Sequence, residues 1–156
     1  MSETNEKRVI SYNKEEMDAI ENYPHNNSKT GVLMYEHKLV VDPETGMTIK
    51  QIRYPKGCMI PLHTHHCAHS IYVLKGTLVT SHGTFGPGEF VWHDEGVEMT
   101  HGASDEEDVD ILFITNKALD MNYLGSIIFF VGLTLPRYSF SKPSASLDRN
   151  LRQCLW

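Results

Sequence analysis

Four histidines in the middle of the chain could bind one metal ion together. His63, His65 and His69 lie at spacings of two and four residues, and His101 follows in a later segment. Residues two and four apart in an extended chain project from the same face, so we expect the first three imidazoles to converge from one strand. Neutral imidazole is a ligand of zinc, copper, iron and nickel. The alternative is a polar loop or an exposed edge strand with a chance run of histidines, and we favour the metal site.

The segment GCMIPLHTHHCAHSIYVLKG, residues 57–76, resembles the first sequence motif of the cupin superfamily. Its two terminal glycines, His63 and His65 stand in register with that motif. His69 occupies the place where the family usually has glutamate. The chain therefore resembles the subset of cupins with four histidine ligands, and this resemblance implies that His69 is one of them.

The segment PGEFVW, residues 87–92, and His101 together resemble a loose form of the second cupin motif. The strict form places its histidine three residues after the glycine, and this chain departs from that spacing. The two motifs cover residues 57–102. They imply an all-β fold, a single cupin barrel of the jelly-roll type, with His63, His65, His69 and His101 as the metal ligands.

A four-histidine site leaves coordination positions open if the metal ion is octahedral, and these positions suit a chelating oxygen substrate. The resemblance implies a metal-dependent dioxygenase that cleaves a diketone, a hydroxyketone or a phenol-like molecule. We expect a divalent transition metal ion, with Fe(II) favoured over Mn, Ni or Zn. Two alternatives remain open. One is a non-redox metalloenzyme (a cyclase, lyase, isomerase or decarboxylase), and the other is a cupin that only binds a small ligand.

Replacing the family glutamate with His69 removes an obvious general base, so proton transfer needs another residue. Glu98 is the candidate, although strand alternation points it away from His101. The residues that we expect to line the substrate pocket are Tyr72, Trp92, Val97 and Met99. Cys67 has the same parity as the histidines and is a weaker candidate ligand. The other histidines are predicted to lie at the surface, namely His25, His37, His66, His82 and His93.

Short strands separated by glycine and proline follow one another from Val32 onward, a pattern typical of a sandwich or barrel. We divide the chain into an N-terminal arm (1–30), the barrel (31–136) and a C-terminal extension (137–156). The arm is predicted to contain a short helix over Lys14–Asn22. The arm lies either across the barrel or against a partner subunit, or it is a frayed terminus.

The bulk composition excludes several classes of function. The net charge is −6 and no cluster of lysine and arginine offsets it, which argues against nucleic-acid binding. The longest apolar run, Ile127–Val131, is too short to span a bilayer. The N-terminus lacks the apolar segment of a signal peptide, and the three cysteines show no CxxC spacing, so we expect a cytoplasmic protein. The expected partners are a small-molecule substrate and, through open sheet edges, a second copy in a homodimer.

Overall fold

The computed structural model describes residues 8–28 and 30–124, which are almost entirely antiparallel β-structure. An α-helix, α1 (Lys14–Asp18), and a 3-10 helix (Ile20–Asn22) precede the strands. In chain order, the strands are β1 (Pro24–Asn26), β2 (Leu33–Val41), β3 (Thr48–Tyr54), β4 (Met59–His65), β5 (His69–Lys75), β6 (Leu78–Thr80), β7 (Gly83–Phe85), β8 (Phe90–His93), β9 (Met99–Ala103), β10 (Val109–Thr115) and β11 (Met121–Tyr123).

The strands form two sheets with the hydrophobic core between them. Sheet A has the order β1-β2-β3-β10-β5-β8, and sheet B has the order β11-β4-β9-β6-β7. The core joins buried side chains of sheet A, such as Ile52, Ile71 and Ile111, to Ile60 and Leu78 of sheet B. The predicted all-β class and the two-sheet architecture of a jelly-roll barrel are confirmed.

The run Asp42-Pro43-Glu44-Thr45-Gly46 predicts the turn of a hairpin, and β2 and β3 are antiparallel neighbours joined through these residues. The carboxylate of Asp42 accepts hydrogen bonds from the Glu44 amide (2.8 Å) and the Thr45 hydroxyl (3.0 Å), which holds the turn together. Gly46 has a φ of 72°, a conformation that side chains rarely adopt, and an added Cβ would overlap Ala118. These local features set the register that places alternate residues of β3 in the barrel interior.

The sequence predicts strand structure over Ser70–Thr80 with a bend or turn at Lys75-Gly76, and the chain does bend there, so that β5 and β6 lie in different sheets. Gly76 separates β5 from β6 with a φ of 76°. A Cβ at this position would overlap the carbonyl oxygen of Asp108, so the close approach of the two backbones requires glycine. The bend carries the chain from sheet A to sheet B.

The predicted N-terminal helix is present in two short pieces. The Asn13 side chain accepts from the Glu16 amide, and the Glu16 carboxylate accepts from the Asn13 amide, which together form a capping box. Gln51 of β3 donates to the carbonyl of Met17 (2.9 Å), so the arm lies against sheet A. The sequence of the next segment, PHNNSKTG (residues 24–31), predicts a loop, but the segment begins with the short strand β1, which pairs with β2.

Some predictions concern residues that the structure does not describe. The predicted strand over Ser126–Leu133, the apolar run Ile127–Val131 and the C-terminal extension 137–156 lie outside the described residues. The acidic run Ser104–Asp108 is a turn whose four carboxylates are exposed. Within residues 8–28 and 30–124, no helix is both long enough and apolar enough to cross a membrane.

Candidate metal centre

Three histidines come together on the inner face of sheet B. His63 and His65 lie on β4, and His101 lies on the neighbouring strand β9. One ring nitrogen from each can be chosen so that all three atoms lie within 4.8 Å of one another, and all three side chains are buried. The alternation of β4 explains why His63 and His65 share a face, whereas His101 joins them only because β9 pairs with β4.

The expectation that three imidazoles converge from one strand face is wrong. The chain turns at residues 66–68, and His69 begins β5 in the opposite sheet. Its ring still approaches the cluster, with a centroid separation of 4.5 Å from the ring of His65. His69 is not a member of the group whose nitrogens lie within 4.8 Å. The structure therefore brings three of the four predicted ligands together and places the fourth beside them.

The ring of His63 is held in a defined tautomer by the backbone. Its Nδ1 lies 2.6 Å from the carbonyl oxygen of Pro61, which can only accept, so Nδ1 carries the proton and donates it. Nε2 is then the nitrogen with a free lone pair, and it lies 3.1 Å from Nε2 of His65. A hydrogen bond from Nδ1 to a backbone carbonyl is the arrangement that orients metal-binding histidines in proteins.

Burial keeps these imidazoles uncharged. Desolvation lowers the pKa of His65 to about 3 and that of His69 to about 4, with the neighbouring histidines adding to the effect. The same cause lowers the pKa of His63 and brings the pKa of His101 well below its usual value. Neutral imidazole is the form that binds metal ions, so the whole cluster is in the binding-competent state at pH 7.

Several ring nitrogens of the cluster have no hydrogen-bond partner in the described part of the chain. Both nitrogens of His69 and both of His101 are buried in this way, as is Nδ1 of His65. An unpaired buried polar atom costs free energy, and most such atoms in proteins have a partner. A set of neutral, buried nitrogen donors without partners fits a divalent transition metal ion.

His93 lies inside the barrel, which corrects the prediction that it is a surface histidine in a turn. It is the last residue of β8 and is only 4% exposed. The pairing of β5 with β8 sets it opposite His69, and the two rings stack with centroids 5.0 Å apart. Phe113 stacks on His69 at 4.8 Å. This strand register is long-range information that the sequence pattern around His93 does not contain.

The predicted pocket residues Tyr72 and Trp92 point out of the barrel. Their side chains are 38% and 52% exposed, whereas Ile71 and Val73 on either side of Tyr72 are buried. Since successive residues of a strand face opposite sides, burial of Ile71 and Val73 requires Tyr72 to face outward. The placement of Tyr72 and Trp92 in the pocket is therefore wrong.

The other residues predicted for the pocket and for proton transfer also lie outside the cavity described below. Met99 is fully buried and pairs with His63, but it is not one of the residues that line the cavity. Val97 lies half-buried in the turn before β9. Glu98 is exposed, and its backbone carbonyl accepts a hydrogen bond from the ring of His82. Its role as a proton-transfer group has no support in this geometry.

The remaining candidates are placed as follows. Cys67 lies in the turn after β4; it is buried and is not part of the histidine group, and burial raises the pKa of its thiol. His25, His66 and His82 are exposed, as predicted. His37 is buried and stacks on Tyr23 with ring centroids 3.9 Å apart, so its prediction as a surface residue is wrong.

A cavity of about 350 Å³ opens beside the cluster, and His65 and His101 form part of its wall. Its apolar wall includes Ile52, Ile60 and Phe113. This volume is within the range of small-molecule sites in proteins. The cavity therefore has room for a small organic molecule next to the imidazoles of His65 and His101.

The sequence analysis missed the charged and phenolic residues of the cavity wall, which are Glu36, Lys38, Lys50, Tyr54, Asp120 and Tyr123. The ring of Tyr54 lies 5.5 Å from that of His101, and the ring of Tyr123 lies 5.8 Å from that of His63. One signal could have found two of them. Alternation along β3 puts Lys50 and Tyr54 on the same face as Ile52.

The family model of the ChrR cupin-like domain matches residues 13–120, which is more than half of the chain. The chain belongs to this family. The match includes all four candidate histidines and both sheets, so the predicted membership of the cupin superfamily is confirmed. Cupins commonly bind a metal ion, which agrees with the buried cluster of three histidines.

Solved structures show the same cupin fold. A cupin-like protein from Thermotoga maritima MSB8 is 19% identical, with a TM-score of 0.55 over 63% of this chain and 80% of that one. An RmlC-like cupin from Ralstonia eutropha JMP134 is 20% identical, with a TM-score of 0.55 and 66% of both chains covered. The polyketide cyclase RemF from Streptomyces resistomycificus is 18% identical, with a TM-score of 0.51 over 61% and 73%. No curated protein matches the chain.

Proposed function

We propose that this cupin is a metal-dependent dioxygenase that oxidatively cleaves a small oxygenated organic molecule, such as a diketone, a hydroxyketone or a phenol. One observation carries the proposal: three buried histidines have ring nitrogens within 4.8 Å of one another, and two of them, His65 and His101, form part of the wall of a cavity of about 350 Å³. His63, His65 and His101 hold the metal ion, and His69 is the proposed fourth ligand. An ion bound there supplies a Lewis acid and, in the case of Fe(II), the electrons with which dioxygen reacts.

The protein contributes orientation and exclusion of water. The Pro61 carbonyl fixes the tautomer of His63 that has its lone pair on Nε2, the nitrogen that lies 3.1 Å from Nε2 of His65. Ile52 and Phe113 cover the space next to the histidines with apolar surface. A substrate that chelates the ion through oxygen would therefore react in a pocket that is poor in water.

A non-redox reaction, such as that of a cyclase, lyase, isomerase or decarboxylase, is the second candidate. The phenols of Tyr54 and Tyr123 favour it because they lie beside the histidines and can donate protons without any oxidant. Burial raises the pKa of both phenols, which keeps them protonated at pH 7. Oxygen consumption during turnover of diketones, hydroxyketones and phenols, followed with an oxygen electrode, distinguishes the two candidates.

Metal analysis of anaerobically purified protein tests the centre itself. We expect about one transition-metal ion per chain, as in other mononuclear sites. His63→Ala and His101→Ala should lose most of it, and His66→Ala should keep it because His66 is exposed beside the same strand. Full occupancy in both of the first two variants would show that the assigned centre is wrong.

Cobalt spectra test the fourth ligand. If His69 binds the ion, His69→Glu should keep the cobalt with an altered visible spectrum, because a carboxylate oxygen replaces an imidazole nitrogen. His69→Ala should weaken cobalt binding. Unchanged spectra and affinities in both variants would remove His69 from the centre and leave a three-histidine site.

A further inference from the structure

A buried ion pair faces the same cavity as the histidines, but from the opposite sheet. Lys50 Nζ lies 3.0 Å from a carboxylate oxygen of Glu36, and each side chain is only 10% exposed. Lys50 lies on β3 and Glu36 on β2, the neighbouring strand of sheet A. Both residues line the cavity wall.

The interior of a small barrel is usually filled by apolar side chains, and taking two charges out of water is costly even when they pair. Packing alone therefore does not account for Lys50 at this position. Its ammonium group has three N–H donors, and among the described residues only the Glu36 carboxylate forms an ion pair with it. Two donors remain for a molecule in the cavity.

The charge around Lys50 favours an anion. Lys38 lies opposite Lys50 in the β2–β3 ladder and also lines the cavity. Like charges directly opposite each other in a sheet are unfavourable, and Glu36 neutralises only one of them. The histidines are neutral, and Lys38 and Asp120 are both exposed residues of the cavity wall. The four ionised side chains of the wall therefore carry no net charge, and an anion is favoured only locally, where the two lysines lie opposite each other in sheet A.

The ion pair and the histidines are separated by a short apolar surface. Phe113 is the cross-strand partner of Lys50, so the two side chains lie next to each other on the inner face of sheet A. The ring of Phe113 lies 5.7 Å from that of His65 and 4.8 Å from that of His69. A small molecule that reaches from the histidines to Lys50 would therefore pass over Phe113.

We propose that Lys50, oriented by Glu36 and flanked by Lys38, binds a carboxylate at the end of the substrate that is remote from the histidines. The substrate is then a small organic acid with metal-chelating oxygens at one end, a carboxylate at the other and a short apolar segment between them. This assignment rests on the proposed metal centre and adds the feature that selects the substrate.

A matched pair of probes tests the assignment on the full, cobalt-loaded chain. 2-Oxoglutarate and 2-oxopentanoate both chelate through a 2-oxo acid, and only 2-oxoglutarate has a second carboxylate. We expect the wild type to bind 2-oxoglutarate at least roughly tenfold more tightly, the size expected for a charge-assisted hydrogen bond. Titration of the cobalt visible spectrum gives both affinities.

The double variant Lys50→Met/Glu36→Leu removes the cation without leaving a buried carboxylate unpaired. It should lower the ratio of the two affinities to less than about twofold, since only the contact to the second carboxylate is lost. Lys38→Met should lower the ratio in part. Lys14→Met should leave it unchanged, because Lys14 is an exposed residue of α1.

Two results would overturn the assignment: equal affinity of the wild type for both probes, or an unchanged ratio in the folded double variant. Failure of the wild type to bind cobalt would instead contradict the metal centre. Calorimetry of the metal-free protein with glutarate, which lacks the chelating 2-oxo group, then tests the lysine end by itself. Glutarate binding that disappears in the double variant supports the carboxylate site at Lys50. If glutarate does not bind to the wild type, that site is rejected.

Discussion

Two groups of buried polar side chains face one cavity from different sheets, and they tolerate burial in different ways. The histidines of sheet B, with His69 beside them, become neutral, and most of their ring nitrogens stay without partners among the described residues. Glu36 and Lys50 of sheet A stay close together as an ion pair at 3.0 Å. An imidazole can lose its charge at modest cost near neutral pH, whereas a paired ammonium and carboxylate stabilise each other's charge.

In the assignment proposed above, this difference separates two functions within one cavity. Neutral nitrogens with unused lone pairs can bind an external cation, and burial prepares them by removing the competing proton. A paired lysine already has part of its hydrogen bonding satisfied, which fixes the direction of its ammonium group while leaving donors for a ligand. The cupin thus has one wall suited to a metal ion and one suited to an anion.

Breaking the ion pair should have the largest effect on stability. Lys50→Met leaves the Glu36 carboxylate buried without its partner, which costs about 3–5 kcal/mol in the free energy of unfolding. Lys50→Met/Glu36→Leu should recover most of that loss because no charge remains to be solvated. Urea unfolding of the wild type, Lys50→Met, Glu36→Leu and the double variant measures the coupling free energy between Lys50 and Glu36. If the double variant is as unstable as Lys50→Met, the pair does not behave as a buried unit.

The buried histidines should make the stability of the metal-free protein depend on pH. The folded pKa values of His65 and His69, about 3 and about 4, lie below the unfolded value of 6.5, so the unfolded chain binds more protons between these limits. Stability from these residues is therefore complete above pH 6.5 and is lost as the pH falls toward 4. The two together should lower the free energy of unfolding of the metal-free protein by roughly 2 kcal/mol between pH 6.5 and pH 5.5.

Urea unfolding of the metal-free protein at several pH values measures this loss. His66→Gln is the control, because His66 is exposed and should leave the pH profile unchanged. A free energy of unfolding that stays constant from pH 6.5 to pH 5.5 would contradict the assignment of neutral, buried imidazoles. Addition of zinc should reduce the pH dependence, since metal binding competes with protons.

The smallest effect should come from the outward-facing aromatic residues. Trp92→Ala and Tyr72→Ala should leave cobalt binding and the affinity for 2-oxoglutarate within about twofold, because half-exposed side chains outside the cavity contact neither wall. Phe113→Leu is the matched substitution inside the barrel, and it should weaken the binding of 2-oxoglutarate more than Trp92→Ala or Tyr72→Ala does. A larger effect of Trp92→Ala would contradict this placement and show that the outer face of sheet A contributes to ligand binding. The predicted homodimer remains a prediction that light scattering can test.

Much of the site could be predicted from local spacing. His63 and His65 share a face because residues two apart on a strand always do, and the glycine at position 76 marked the bend that the structure contains. The wrong predictions concerned residues whose position depends on pairing between strands. His93 is buried because β8 pairs with β5, and Tyr72 faces outward because the core takes Ile71 and Val73.

The sequence by itself determined the two motifs, the alternation within each strand and the positions where only glycine fits, since these follow from backbone geometry over a few residues. The tertiary structure decided which strands became neighbours. That pairing brought His101 to His63, moved His69 to the opposite sheet and placed Lys50 beside Phe113. The physical reason is that sheet order and register depend on the packing of the whole core, to which residues distant in the chain contribute together.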